Sequence, residues 1–232
     1  VKSGNLTLEP HGMINRRLRR IQEYRLYRGS TASAATVQDV WGNGDLWQQY
    51  MANQGYIVVS IENRGANTPR GREWRKCIYG EVGTFASEDQ SRGILDMTRQ
   101  YPFIDANRIG ITGWSGGGSQ TLNCMFRYPK IFHTGIAIAF VADQRLYDTI
   151  YQERYMNTPQ NNPEGYHKGS PITYAEGLEG NLLLIHGTGD DNVHYQNCEM
   201  LVNKLIKNGK MFTQISYRCV AIASTKGKEQ LF

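Results

Sequence analysis

The sequence predicts a single α/β domain built on a mostly parallel, doubly wound sheet. Four short apolar stretches suit buried strands, and amphipathic stretches of helical length separate them; the strands are predicted at residues 56–61, 109–112, 135–141 and 181–187. Parallel strands need a crossover between them, so this alternation favours helices on both faces of one sheet. With 232 residues, 40% of them hydrophobic, the chain can bury one well-formed core.

The helices predicted between these strands carry recognisable end signals. A helix over 41–54 ends at Gly55, and a helix over 87–101 stops before Pro102, which cannot continue it. A third helix is predicted over 195–208. Their lengths suit crossovers between neighbouring parallel strands.

The two ends of the chain do not follow this pattern. The apolar residues of segment 1–36 recur neither with a period of two residues nor with one of 3.6, so this segment shows no clear secondary-structure pattern. We interpret it as an N-terminal segment of the same domain. Residues 37–215 form the predicted α/β domain, and residues 216–232 form an aberrant tail that departs from its pattern. The predicted sheet is therefore incomplete at its C-terminal end.

Composition excludes several classes of function. The net charge is +5, and the basic run Arg16–Arg20 lacks interleaved aromatic residues, so no nucleic-acid partner is expected. The four cysteines form no C-x-x-C pair, so neither a metal nor a redox cofactor is expected. No segment reads as a signal peptide or reaches transmembrane length.

The strongest chemical signal is the motif Gly113-Trp114-Ser115-Gly116-Gly117, which lies between a predicted strand and a predicted helix. In this context G-x-S-x-G predicts a nucleophile elbow, a sharp turn that exposes the serine hydroxyl at its tip. The N–H of Gly116 then points to the place where negative charge develops during acyl transfer. Without that context, the motif would be an ordinary glycine-rich turn with a solvated serine.

A second signal is the acidic loop after the strand at 181–187. Asp190 lies at the carboxyl end of that strand and follows Ser115 in the chain, as the acid does in the Ser…Asp…His order of α/β-hydrolases. The alternative is that Asp190 or Asp191 only caps the following helix. Together with the elbow, a catalytic role is favoured for one of the two.

Three motifs together resemble the prolyl oligopeptidase family of serine peptidases, and within it the catalytic domains of the dipeptidyl peptidase IV type. They are Gly113–Gly117, the stretch Leu146–Met156 with its spaced tyrosines, and His186-Gly187-Thr188-Gly189-Asp190-Asp191-Asn192-Val193-His194. The resemblance covers about residues 38–214. It implies an α/β-hydrolase fold and hydrolysis of peptide bonds after proline or alanine.

The resemblance also implies roles for individual residues. Ser115 would be the nucleophile, Asp190 the triad acid and Gly116 an oxyanion donor. The remaining implied site residues would form a proline-shaped pocket. In this pocket Asn192 would hold the substrate's P2 carbonyl, and Arg154 and Tyr155 would support the walls. The other pocket residues would be Tyr147, Tyr151, Val193 and Val141. A flat aromatic slot suits a rigid apolar ring that offers no N–H.

Partners follow from the same resemblance. The expected substrate is a peptide with proline or alanine at its penultimate position, and relatives often form homodimers. The parent protein would carry an N-terminal β-propeller and would be periplasmic, secreted or membrane-anchored.

Several positions depart from the family pattern. Gln144 stands where the family has a pocket tryptophan, and Tyr27 is only a weak match to its oxyanion tyrosine. No histidine follows His194, although the family's triad histidine comes about thirty residues after the acid. His194 itself is too close to Asp190 in sequence for that role.

The tail suggests a reason for the missing histidine. Read from the third base of the codon after Arg218, nucleotides compatible with residues 219–232 also encode Arg-Ser-His-Ser-Ile-Tyr-Glu-Gly-Lys-Gly-Thr-Thr. That string resembles the family's histidine motif, so we interpret the tail as a frameshifted reading, and residues 12–36 as a second candidate.

Three functions stay open at this stage. The first is a serine peptidase that acts through an acyl-enzyme on Ser115, and the second is an inactive fragment or pseudoenzyme that lacks the triad histidine. The third, another α/β-hydrolase such as an esterase, is disfavoured by the pocket tyrosines and by Asn192.

Overall fold

Seven strands form one sheet in the order β1-β3-β2-β4-β5-β6-β7. The computed structural model describes residues 12–13, 24–28, 46–66 and 70–218 of the chain. All neighbouring strands are parallel except β1, which pairs antiparallel with β3. The strands are β1 Gly12–Met13, β2 Tyr24–Arg28, β3 Tyr56–Val59, β4 Ile109–Trp114, β5 Thr134–Ile138, β6 Asn181–Gly187 and β7 Thr213–Tyr217.

Helices connect these strands as the alternating pattern predicts. They are α1 Leu46–Asn53, α2 Gly71–Lys76, α3 Phe85–Gln100, α4 Gly116–Arg127, α5 Thr149–Met156, α6 Pro163–Gly169 and α7 Gln196–Lys207, with 3-10 helices at Gln144–Leu146 and Pro171–Gly177. The predicted α/β fold with a mostly parallel sheet is confirmed, with element ends shifted by a few residues. None of the helices in the described part of the chain combines the length and the hydropathy needed to span a bilayer.

Three strands, β1, β2 and β7, lie where the sequence predicts no regular element. β7 pairs in parallel with β6 and includes residues 216–217 of the predicted aberrant tail, so the sheet extends further at its C-terminal end than the sequence predicts. β2 pairs with β3 on one side and with β4 on the other, so it occupies the middle of the sheet. Its sequence, Tyr-Arg-Leu-Tyr-Arg, places charged residues inside the strand, which hides the apolar signal of a central strand. Most of residues 1–36, and all of 219–232, lie outside the described residues.

The main core lies on one face of the central strands. Ile111, Ala137 and Leu184 are fully buried there, and Leu122 of α4 and Leu201 of α7 pack into the same cluster. Because side chains alternate along each strand, this burial fixes the register of β4, β5 and β6. The carboxyl ends of these three strands therefore meet at one edge, which positions the loops that follow them.

The passage from β4 into α4 depends on the absence of a side chain at Gly113. A Cβ on Gly113 would lie 2.2 Å from the carbonyl oxygen of Gly117 and 2.3 Å from its carbonyl carbon. Both atoms belong to the backbone, so no side-chain rotation relieves the overlap. Strand and helix can cross this closely only with glycine at this position.

We therefore expect Gly113→Ala to destabilise the domain by about 3 kcal/mol or more, because the backbone of the turn must move. Gly55→Ala is the matched control: Gly55 has φ +92°, but an added Cβ meets nothing within 4 Å. It should cost only about 1–2 kcal/mol of backbone strain. Urea unfolding of both variants measures the difference, and equal losses would contradict the close-crossing explanation.

Candidate active site

Ser115 stands at the tip of the turn between β4 and α4. Its backbone has φ 56° and ψ −122°, a conformation that non-glycine residues rarely adopt and that stores strain. The Ser115 N–H donates to the carbonyl of Ile138 at 2.8 Å, and its own carbonyl accepts from the N–H of Ser119 at 3.0 Å. These bonds hold the turn while the side chain stays half-buried. The predicted strand, turn and helix around the serine are all present.

The start of α4 also holds the neighbouring loop after β5. The Ser119 hydroxyl accepts a hydrogen bond from the N–H of Val141 at 2.9 Å. Val141 is buried, with 6% of its surface exposed. The helix that begins next to Ser115 thus fixes the segment in which the predicted pocket residue Val141 lies.

Asp190 lies in the loop after β6, and its two carboxylate oxygens are in different states. One oxygen, Oδ1, accepts from the N–H of Asn192 at 3.1 Å and from that of Val193 at 2.9 Å. The other oxygen, Oδ2, is buried and has no hydrogen-bond partner among the described residues. Asp191 is exposed. Asp190 therefore orders its own loop rather than the first turn of α7, and it keeps one oxygen available as an acceptor.

His186, at the end of β6, also holds the Asp190 loop through a hydrogen bond. Its Nε2 lies 2.8 Å from the carbonyl oxygen of Val193, and the ring is fully buried between Phe140 and Tyr195. Burial lowers the pKa of His186, so the ring is neutral and carries its proton on Nε2, which donates to that carbonyl. The 3.8 Å from Nε2 to Asp190 Oδ2 is too long for a hydrogen bond.

Tyrosines of the predicted pocket form a ladder of rings along α5. The Tyr147 and Tyr151 ring centroids are 5.5 Å apart with a nearly perpendicular arrangement, and those of Tyr151 and Tyr155 are 4.9 Å apart. The Arg154 guanidinium lies 5.8 Å from the Tyr155 ring centroid. The Tyr147 hydroxyl donates to Asn192 Oδ1 at 3.2 Å, which links the ladder to the Asp190 loop. Burial raises the pKa of Tyr147, so this hydroxyl stays protonated.

Gln144, the departure from the family's tryptophan, points into the protein. It is 5% exposed, and its amide nitrogen donates to the carbonyl of Gly169 at 3.3 Å. Gln152 of α5 contacts it through both the Gln144 carbonyl, at 2.8 Å, and the Gln144 side-chain oxygen. Gln144 therefore connects α5, through Gln152, with the last residue of α6, Gly169. Val193 is also buried, with 1% of its surface exposed.

β3 also ends at the carboxyl edge of the sheet, and an ion pair holds the loop that follows it. Arg64 contacts Asp89 at 2.8 Å and Glu88 at 3.0 Å, and its guanidinium lies 4.5 Å from the Phe85 ring centroid. The hydrogen bond to Asp89 raises the pKa of Arg64. Its charge is thus used to anchor the loop on α3.

The described histidines leave the serine without an obvious base. His186 is committed to Val193, whereas His167 and His194 are exposed on α6 and in the Asp190 loop. His133 stands at the amino end of β5, at the opposite edge of the sheet from Ser115. Across residues 46–66 and 70–218, no group of three His, Cys, Asp or Glu side chains is arranged to hold a metal ion.

The sheet order, the elbow and the acidic loop after β6 define an α/β-hydrolase domain. Residues 44–218 match the model of the prolyl oligopeptidase family, so the chain belongs to this family of serine peptidases. The resemblance drawn from the three sequence motifs is thereby confirmed.

Individual relatives agree with this assignment. A protein from Uncinocarpus reesii described as a probable dipeptidyl-aminopeptidase B is 44% identical over 163 residues, which are 68% of this chain and 18% of that protein. Another with the same description, from Aspergillus oryzae, is 42% identical over 186 residues, which are 78% of this chain and 20% of that protein. The crystal structure of Porphyromonas gingivalis dipeptidyl peptidase 4 superposes with a TM-score of 0.79 at 35% identity and covers 90% of this chain and 31% of that one. The chain thus spans about a fifth of the length of these curated relatives.

Proposed function

We propose that this domain is the catalytic unit of a serine peptidase that cleaves peptide bonds after a penultimate proline or alanine. The observation that carries the proposal is that a strained, half-buried Ser115 and an Asp190 with one ordered and one unpartnered oxygen both follow strands at the carboxyl edge of the sheet. The relatives described as dipeptidyl-aminopeptidase B and dipeptidyl peptidase 4 support peptides as substrates and the release of dipeptides.

In this mechanism, Ser115 Oγ attacks the carbonyl carbon after the proline while an imidazole takes the hydroxyl proton. The N–H of Gly116, at the start of α4, donates to the oxyanion that forms. The imidazole then protonates the departing amine, and water hydrolyses the acyl-enzyme with the same base. Asp190 Oδ2 accepts the other imidazole N–H and fixes its tautomer, which is the hydrogen bond that this oxygen lacks.

Residues 195–232 contain no histidine, so they do not supply this imidazole. The end of β7 suits a histidine supplied by the residues that follow it, because Tyr217 pairs with Gly187 and its carbonyl accepts from the Thr188 N–H at 2.8 Å. The chain therefore leaves β7 at the same edge of the sheet as the Asp190 loop. A histidine a few residues further on, as the shifted frame encodes, starts from the correct edge.

Substrate selection rests on the ladder and its neighbours. Tyr147 and Tyr151 would offer aromatic surface to a proline ring, with Arg154 and Tyr155 as support. The two pocket valines, Val141 and Val193, are buried. Asn192 would donate from its amide nitrogen to the P2 carbonyl, while its oxygen accepts from Tyr147. This arrangement favours peptides over simple esters.

A second candidate is an inactive chain that only binds peptides, and it is favoured by the absence of a histidine from the sequence after His194. The source DNA across codons 215–232 and beyond separates the two. If the gene encodes the histidine string in its reading frame, its purified product should release dipeptides from X-Pro and X-Ala peptides and spare X-Leu peptides. A verified gene without a one-base shift, whose product releases no dipeptide, would overturn the peptidase proposal and leave the binding candidate.

A further inference from the structure

Asn197 is an amide on the apolar side of α7. It is fully buried and continues the stripe formed by Leu201 and Leu205, which are also fully buried. Burial of an amide is unfavourable unless its polar atoms are hydrogen-bonded. A polar residue at this core position therefore calls for specific partners.

The amide of Asn197 meets this requirement at all four positions. Its oxygen, Oδ1, accepts from the N–H of Ala142 at 2.9 Å and from that of Asp143 at 3.3 Å. Its nitrogen, Nδ2, donates to the carbonyls of Leu146 and His194, each at 3.3 Å. Two donors face the oxygen and two acceptors face the nitrogen, so the orientation of the amide is determined.

These four partners belong to the two loops of the candidate site. Residues 142–146 lead from Val141 into Tyr147, and His194 follows directly on the segment Asp190–Val193. A second, more exposed hydrogen bond between the same loops runs from the Tyr147 hydroxyl to Asn192. One buried side chain therefore joins the aromatic wall to the acid.

We propose that Asn197 is a positioning residue that sets the spacing between the pocket loop and the Asp190 loop. The consequence for turnover rests on the proposed peptidase function, whereas the coupling between the loops does not. A displacement of about 1 Å at a site that must align substrate and base lowers the rate by about a hundredfold. Asn197 therefore acts on catalysis through Tyr147, Asn192 and Asp190 and not by contact with substrate.

The test compares Asn197→Asp with Asn197→Leu in the full chain that the source gene encodes. Aspartate keeps an acceptor toward Ala142 and Asp143 but turns an oxygen toward the carbonyls of Leu146 and His194, so it breaks only the donor half. Leucine removes both halves. Asn203→Asp, at an exposed position of the same helix, is the control for the added charge.

Hydrogen–deuterium exchange is the readout that does not require activity. We expect Asn197→Asp to speed exchange at least tenfold in peptides that cover 190–195, to leave the amides of 142–143 protected, and to leave Asn203→Asp like the parent. Asn197→Leu should speed exchange in both segments. Exchange that is unchanged at 190–195, or raised uniformly over α7 because the helix unfolds, would overturn the inference.

Steady-state kinetics with an X-Pro amide then measure the effect of each substitution on kcat and KM. Asn197→Asp should raise KM and lower kcat, with a loss of about a hundredfold in kcat/KM, while Asn203→Asp stays within twofold of the parent. A normal kcat/KM alongside faster exchange would overturn the catalytic part of the inference. A parent without dipeptide release would instead defeat the proposed function, and the exchange result would still decide the coupling of the loops.

Discussion

Replacing Ser115 by alanine is expected to lower kcat by about 10⁶-fold in a chain that carries the complete triad, since loss of the nucleophile removes the acyl-enzyme route altogether. The hydroxyl stands at the tip of the turn and bonds between backbone groups hold that turn, so the fold should stay intact. Initial rates of dipeptide release from an X-Pro amide measure the loss. The melting temperature should not fall, because alanine keeps the backbone hydrogen bonds to Ile138 and Ser119 that hold the turn.

Ser91→Ala provides the matched control. It also removes one serine hydroxyl, which donates to the Ser87 carbonyl at 2.7 Å within α3. Its kcat should stay close to that of the parent, with a stability loss of about 1 kcal/mol. Retention of more than a hundredth of the parent activity by Ser115→Ala would show that another residue is the nucleophile.

Asp190→Asn is expected to lower kcat by about 10⁴-fold without loosening the loop. Asparagine can keep its oxygen toward the N–H groups of Asn192 and Val193. At the position of the unpartnered Oδ2 it then places an NH₂ group, which cannot accept a hydrogen bond from the imidazole N–H and which selects the wrong tautomer. The effect should appear in kcat, with KM changed by less than threefold.

Asp191→Asn tests the alternative acid. Asp191 is exposed and adjacent in sequence, so the variant removes the same charge from the same loop. We expect its kcat to fall less than threefold. A larger loss from Asp191→Asn than from Asp190→Asn would reverse the assignment of the acid that the hydrogen bonds of the loop support.

Sequence patterns predicted those parts of the fold that depend on local signals. Residues 109–112 and 181–187 are apolar runs followed by glycine-containing turns, and strands form there at Ile109–Trp114 and Asn181–Gly187. Gly113 indicates in the sequence that β4 and α4 cross closely, because only a residue without Cβ fits there. β2 was missed because its place in the sheet is set by β3 and β4 and not by an apolar period in its own residues.

Side chains that hold the site together were less predictable. The sequence shows His186 only as part of a motif, because its role depends on a hydrogen bond to the Val193 carbonyl that closes a loop. Asn197 did leave a signal, because an asparagine occupies the apolar stripe of a predicted helix four residues before Leu201. Three of its four partners, however, lie more than fifty residues earlier in the chain, at Ala142, Asp143 and Leu146, and only the tertiary structure brings them together.

Covalent labelling tests the central claim most directly. A dipeptidyl aryl phosphonate with proline at P1 is incubated with the product of the source gene, and the adduct is mapped by mass spectrometry. If Ser115 is the nucleophile beside a proline-shaped pocket, its Oγ displaces the aryloxide from phosphorus and the label is found on the peptide that contains Ser115. The same phosphonate with glutamate at P1 should label this peptide at least a hundredfold more slowly. A label on another residue, or equal labelling by both phosphonates, would contradict the account.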